Sequence, residues 1–229
     1  MDTVPGSQYK IFQGPGAFSY SIDSLFLSYF ARAKGRVLDL GCGPGILYFR
    51  SLNPDLRSYT GLDINPQALD YFRESLAYNG LGEKVRLEEG SLEDFHEPGA
   101  YETVLCNPPY YQNYLRTENS EKNRAKHEGN LGLRDFILKG TQSLRPLGSL
   151  YLVLPSHRLA DAICFCREGK AEVKRLQFLA KKRDQGPHWV SIEARKSAKP
   201  HLIVEAPLNL EDHKDLIYRN LLGTKDRGL

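Results

Sequence analysis

No apolar run in the 229 residues approaches the ~20 that a membrane-crossing helix needs, and no charged-then-apolar leader opens the chain. These absences predict a soluble, cytoplasmic protein that makes no membrane contact. Cysteine is sparse. Cys42, Cys106, Cys164 and Cys166 match neither a zinc spacing nor a disulfide framework, so all four are expected as reduced thiols. Those in strand and helix patterns are expected as small apolar fillers. The H-x-E and P-C-x-x-C signatures of zinc deamination are missing as well, and no metal is expected. No internal repeat or low-complexity segment occurs, and one domain over residues 1–229 is expected.

Hydrophobic residues make up 41% and charged residues 26%, ordinary values for a globular chain with a real core. The net charge of +3 says little, but its distribution says more. Residues 170–199 hold nine Lys or Arg against three acids, a local +6 that leaves −3 for the rest. Such asymmetry suits either a solvated basic face or an anionic partner.

The periodicity predicts a hairpin over residues 9–13 and 18–21, turning at Gly14-Pro15-Gly16, and a helix over 24–30 capped by Asp23. Strands are predicted at 36–40, 59–64, 85–87, 102–106 and 149–154. Helices fall between them: one from about 46, one from Pro66 to 79–80, and one over 131–144. Short apolar runs separated by helices imply crossovers and a parallel sheet. Three further strands, at 173–179, 189–195 and 201–205, have no helices between them and predict an antiparallel edge. The expected fold is therefore α/β: a doubly wound, mostly parallel, seven-stranded Rossmann-like sheet with an antiparallel C-terminal edge and a short N-terminal hairpin. Residues 1–34 form the hairpin and helix, 35–170 the core, and 171–229 the edge and tail.

The first core strand runs into Asp39-Leu40-Gly41-Cys42-Gly43-Pro44-Gly45. Gly41, Gly43 and Gly45 allow a ligand to approach the backbone. Asp63 ends the second strand, with Ile64 beside it, at the sheet edge where ligands of open α/β folds sit. An acid there suits the two hydroxyls of a ribose. A dinucleotide loop would be G-x-G-x-x-G aimed at a pyrophosphate. An acid just before the loop repels phosphate and attracts an ammonium. The expected ligand is a nucleoside carrying an amine, which fits S-adenosylmethionine, with its amino-acid end near Asp39 and Gly41.

The fourth strand ends at the same edge in Asn107-Pro108-Pro109-Tyr110. Proline cannot continue a central strand. A planar amine is a poor nucleophile because its lone pair is spread into the ring. Two acceptors, the Asn107 amide oxygen and the Pro108 carbonyl, would take its two N–H groups and localise that pair. The prolines hold both acceptors in place beforehand, and Tyr110 is placed to stack on the base. Direct displacement at the methyl carbon then needs neither a nucleophilic side chain nor a metal.

The glycine loop and this corner together resemble the class I S-adenosylmethionine-dependent methyltransferases that modify planar amines. More closely, the chain resembles the bacterial tRNA adenine-N6 methyltransferases acting on adenosine 37 of a valine tRNA. Further matches are residues 18–27, Ala125-Lys126-His127-Glu128 and Ile192-Glu193-Ala194-Arg195-Lys196. The resemblance covers about residues 9–220 and implies N6-methyladenosine formation on tRNA by a monomer or weak dimer. It also implies a cofactor contact after the third strand. Many relatives carry an Asp there; this chain has Ser91, followed by Leu92. Asn107 borders the same cofactor. An arginine usually precedes the histidine of the loop segment, and Lys126 replaces it, a point charge instead of a bidentate fork. Lys122, Arg124, Lys126 and His127 are candidates for RNA contact. So are Lys181, Lys182 and Arg183, joined by Arg195, Lys196 and Lys199 in one basic surface. Trp189 reads as packing or edge cover, with stacking on a tRNA base as the alternative.

Other readings stay open. Glutamine-N5 methyltransferases of release-factor type share the corner but carry an extra N-terminal helical domain, and only about 35 residues precede the first core strand here. DNA adenine methyltransferases usually need a target-recognition region, for which no room remains. Ribosomal RNA adenine or guanine remains an alternative substrate. The acid before the loop opposes a nucleotide-binding dehydrogenase, and the corner opposes a non-catalytic RNA-binding module.

Overall fold

The computed structural model describes residues 1–17, 19–108 and 132–219. Its centre is a sheet of nine strands. The parallel part holds β3 (Gly35–Leu40), β4 (Leu56–Asp63), β5 (Val85–Glu89), β6 (Tyr101–Cys106) and β7 (Leu144–Pro155). The edge holds β8 (Ala171–Ala180), β9 (Trp189–Lys196), β10 (Ile203–Val204) and β11 (Leu208–Asn209). Spatial order is β10-β8-β9-β7-β6-β3-β4-β5, and β11 also pairs with β8.

The helices cover both faces, as parallel strands buried on both sides require. Beneath lie α1 (Ile22–Phe30), α2 (Ile46–Ser51), α3 (Pro66–Tyr78) and α6 (Leu210–Arg219); above lie α4 (Leu133–Ser143) and α5 (Leu159–Glu168). Strand alternation divides the core between these layers. In β7, Tyr151 and Val153 join the lower cluster while Leu150, Leu152 and Leu154 join the upper one. Asn65 caps α3, accepting the Gln67 N–H, with Pro66 in the first turn. No described helix is long and apolar enough to cross a membrane, and no cluster among the described residues has the makings of a metal site.

Four expectations need correction. The N-terminal hairpin pairs β1 (Asp2–Thr3) with β2 (Lys10–Ile11), not residues 9–13 with 18–21. The backbone of the first expected segment is claimed by α3 and its C-cap instead: Lys10 N–H donates to Asn79 Oδ1, and Phe12 N–H to Ser75 Oγ. Helix α1 starts two residues earlier than expected, with Ser21 as N-cap and Asp23 inside the first turn. The strand predicted at 201–205 shrinks to two residues and runs parallel to β8. The chain leaves β9 at the bottom of the sheet, where Ser197 N–H bonds the Lys170 carbonyl, and passes beneath the start of β8 before turning up along its far side. Finally, Cys42, Cys106 and Cys166 are buried fillers, but Cys164 is exposed.

Arg50 binds the lower layer together. It is only 2% exposed. Its Nε donates to Ser28 Oγ of α1 at 2.5 Å. Its Nη atoms donate to the carbonyls of Pro5, Ile217 and Tyr218. The last two end α6, whose dipole places partial negative charge there. Burial lowers the guanidinium pKa to about 10, which still leaves it charged. Helix α1 is thus held from below by a buried cation, one turn from Ser24.

Candidate active site

The register of the sheet brings the carboxyl ends of three strands into one row. Leu40 pairs with Leu62 on one side and Cys106 on the other. Gly41, Asp63 and Asn107 therefore follow side by side, at the ~4.8 Å spacing of adjacent strands. The two motifs, far apart in sequence, meet at this edge.

The glycine loop needs its glycines for different reasons. Gly41, Gly43 and Gly45 all have positive φ, at 74°, 53° and 93°. A Cβ on Gly45 would lie 2.4 Å from the Phe72 ring, so that residue closes the loop onto α3. A Cβ on Gly43 would meet nothing within 4 Å, and one on Gly41 only Phe136 at 3.9 Å. The backbone there borders open space, as a cradle for a ligand must. Gly41 and Cys42 N–H groups both donate to the Leu62 carbonyl, which fastens the loop to β4.

Asp63 is half-buried and organised by backbone. Its Oδ2 accepts from Gly43 N–H at 2.8 Å and its Oδ1 from Asn65 N–H at 2.9 Å. Burial raises its pKa against these bonds, which lower it. Each oxygen keeps a second lone pair for a ligand hydroxyl. Next to it Ile64 is 63% exposed, an apolar side chain in the position of a platform for a flat ring.

Asp39 lies deeper than expected. It is fully buried, with Oδ2 accepting the Tyr59 hydroxyl at 2.5 Å and Oδ1 without a hydrogen-bond partner among the described residues. Burial pushes its pKa up to about 7; the Tyr59 bond lowers it and Asp63 raises it. Asp39 sits beneath the loop and does not touch its surface. Burial with the nearby Asp39 charge also lifts the Cys42 and Cys106 thiols well above their ordinary range, which keeps both inert.

Ser91 follows β5 at the same edge. Its Oγ accepts the Glu93 N–H at 3.1 Å, which turns it into its own loop. Leu92 is buried in the upper core cluster, which also holds Phe136 and Ile137, and anchors that loop.

Asn107 is half-buried and Pro108 buried. The Asn107 Nδ2 donates to Ser24 Oγ of α1 at 2.9 Å. Sequence reasoning quoted Ser24 only within the matching segment 18–27 and gave it no role; its signal was a hydroxyl at the head of the otherwise apolar run 24–27. Pro109, Tyr110, Lys122, Arg124, Lys126 and His127 lie outside the described residues.

The remaining basic candidates do not form one surface. Lys181, Lys182 and Arg183 are exposed on the turn between β8 and β9, at the Asn107 end of the sheet. Arg195 and Lys196 close the opposite end of β9. Seven residue steps separate Trp189 from Lys196 along that strand, about 23 Å at 3.3 Å each. Lys196 Nζ donates to the carbonyls of Gln142 and Leu144, and Arg195 pairs with Glu193. Arg183 is engaged by Asp212 and Glu211 of α6. Lys199 lends its carbonyl to Lys174. Beside Lys181 stand His157 and His188, which sequence reasoning also passed over. The Ser156 N–H donates to the His188 carbonyl, tying the end of β7 to this turn. Burial, Lys181 and His157 together lower the His188 pKa. Trp189 packs into the lower core, with Lys181 Nζ 5.5 Å above its ring.

The geometry suits a nucleoside: a carboxylate for hydroxyls, an exposed aliphatic for a ring, a glycine cradle, and an amide beside it. Comparison with known proteins agrees. A family model described as methyltransferase small domain matches residues 8–180. The tRNA1(Val) (adenine(37)-N6)-methyltransferase of Parabacteroides distasonis is 25% identical over 207 residues, covering 86% of this chain and 87% of that protein. Its counterpart in Aliivibrio fischeri is 23% identical, covering 90% and 88%. Among solved structures, a "predicted O-methyltransferase" from Agrobacterium tumefaciens superposes with a TM-score of 0.63 at 17% identity, covering 82% of this chain and 87% of that one. A ribosomal protein L11 methylase from Lactobacillus delbrueckii gives 0.57 at 19%, covering 85% and 87%.

Proposed function

Because the chain belongs to the methyltransferase small domain family, we propose that it methylates the exocyclic N6 of adenosine 37 in tRNA, using S-adenosylmethionine. The observation that carries this reading is Asn107, set at the strand edge beside the glycine loop with its amide nitrogen engaged by Ser24. Two relatives named for that activity, similar over most of the chain, support it.

The residues present fit the cofactor. Asp63 would take the ribose hydroxyls and Ile64 the adenine, while the Gly41–Gly43 backbone would border the amino-acid end. Asp39 acts from beneath through its charge. When bound, the cofactor supplies an electrophilic methyl group. The chain's task is to make the acceptor amine reactive. The Asn107 oxygen and the Pro108 carbonyl accept its two N–H groups, which draws the nitrogen toward tetrahedral geometry and localises its lone pair. Both acceptors are set beforehand, the source of electrostatic preorganisation. Alignment of the reactants contributes on the order of 7–11 kcal/mol to lowering the barrier. Stacking by Tyr110, worth about 1–3 kcal/mol, offsets the few kcal/mol of extruding the base. The lysines of the 181–183 turn, on the Asn107 side, hold the tRNA backbone.

The test is methyl transfer from labelled S-adenosylmethionine to total tRNA, followed by nucleoside mass spectrometry. N6-methyladenosine is expected. Asn107→Ala should abolish it while calorimetric cofactor binding stays within about threefold, since the ribose and adenine contacts lie elsewhere. Label on a protein glutamine, or on ribosomal RNA alone, overturns the substrate assignment.

A further inference from the structure

We propose that Ser24 is a positioning residue: its hydroxyl holds the Asn107 side chain with the amide oxygen, not the NH₂, turned to the incoming amine. The inference rests on the reading of Asn107 as an acceptor. Oxygen and nitrogen of an asparagine amide are nearly equal in size, so shape alone cannot choose between its two orientations. The choice matters here. A primary aromatic amine brings two N–H donors, and an NH₂ facing it would oppose donor to donor. With Nδ2 engaged on one side, Oδ1 is directed to the other; a hydroxyl can also donate, so what the bond fixes is the place of the side chain, with its nitrogen toward Ser24.

The bond acts as a lock. Asn107 Nδ2 donates to Ser24 Oγ at 2.9 Å. Ser24 is 6% exposed, so its hydroxyl is removed from water and needs a protein partner. Its helix is rigidly held. Ser28, one turn on, donates to the Leu25 carbonyl and accepts from buried Arg50. The bond joins two elements separated by 83 residues in sequence, so it fixes the corner against the lower layer and not merely against its own strand.

Two experiments test this. In steady-state kinetics Ser24→Ala should lower kcat by about 10–100-fold, the scale of a small misplacement of reacting groups. The KM for S-adenosylmethionine should stay within about twofold. Ser24→Thr, which keeps the hydroxyl, should recover most of the rate. Unchanged kcat in Ser24→Ala, or equal loss in both variants at equal melting temperature, overturns the proposal. The second readout needs no turnover. In ¹⁵N spectra the Asn107 side-chain NH₂ signal, assigned by its disappearance in Asn107→Asp, should carry one downfield proton in the wild type. That proton should return toward the free-amide position in Ser24→Ala. An unmoved signal overturns the lock even if tRNA methylation is confirmed. A moved signal in a protein that leaves tRNA unmethylated keeps the lock and rejects the proposed function instead.

Discussion

Asp39 occupies a place where an ionised carboxylate is costly: full burial, one hydroxyl donor, and a second acid close by. Its pKa rises from 3.8 to about 7 on folding. The unfolded chain therefore releases this proton at lower pH than the folded one. Between those two values the folded state binds more protons, and stability falls as pH rises. The contribution is fully present below 3.8 and is lost as pH passes through about 7. Asp39→Asn removes the titration, so the variant should lose less melting temperature than the wild type between pH 5 and 8. In unfolding free energy the difference over that range is on the order of a few kcal/mol, and equal slopes in the two proteins would refute it. Residues of this kind were legible in part. Asp39, Asp63 and Asn107 announced themselves through glycines and prolines that break a periodic pattern. The depth of Asp39 was not legible, because a strand residue before a loop shows no sign of which neighbour seals it. Here the sealing group is Tyr59 on the next strand.

At the scale of elements, strand direction decides which charges share a surface. The turn between β8 and β9 lies at the Asn107 end, and Arg195 and Lys196 at the other. Replacing Lys181 and Lys182 by glutamate should weaken tRNA binding. It should also reduce the magnitude of the log–log salt slope by about 1.4–1.8, a little under one counterion per lysine. Arg195→Gln should leave that slope nearly unchanged in the same filter-binding assay. A reversed ranking would show that RNA lies across the far end. The parallel strands were legible because helices separate them. The edge was not fully so: three apolar runs without helices read as a meander, yet the short passage after Ser197 carries the chain under β8 and makes the last strand parallel. The N-terminal hairpin misled for a related reason. Gly14-Pro15-Gly16 marks a turn, but the hydrogen bonds of the preceding segment go to side chains of α3 and its C-cap, which no local pattern reports.

Across the whole molecule, Arg50 joins α1, α2, the segment at Pro5 and the end of α6. Arg50→Met removes charged donors from several carbonyls at once. Each such bond is worth about 1.5–3 kcal/mol, so the expected loss in urea unfolding is at least about 3 kcal/mol. A loss under 1 kcal/mol, in the range of an ordinary surface change, would remove Arg50 from this role. The same variant should lower activity beyond what the unfolded fraction explains, because α1 also carries Ser24. An arginine inside a helix reads as solvated surface, and only the three-dimensional arrangement shows it buried.

That cation also orders events in time. Its Tyr218 partner lies 168 residues downstream. At about 5–20 residues per second of synthesis, the ribosome delivers that carbonyl on the order of 10–30 seconds after Arg50 itself. Until then the guanidinium has only its earlier-made partners, Ser28 and the Pro5 carbonyl, and its remaining donors stay hydrated. The Pro5 segment, made earlier than Arg50, shares that cation with the end of α6 only once α6 has arrived.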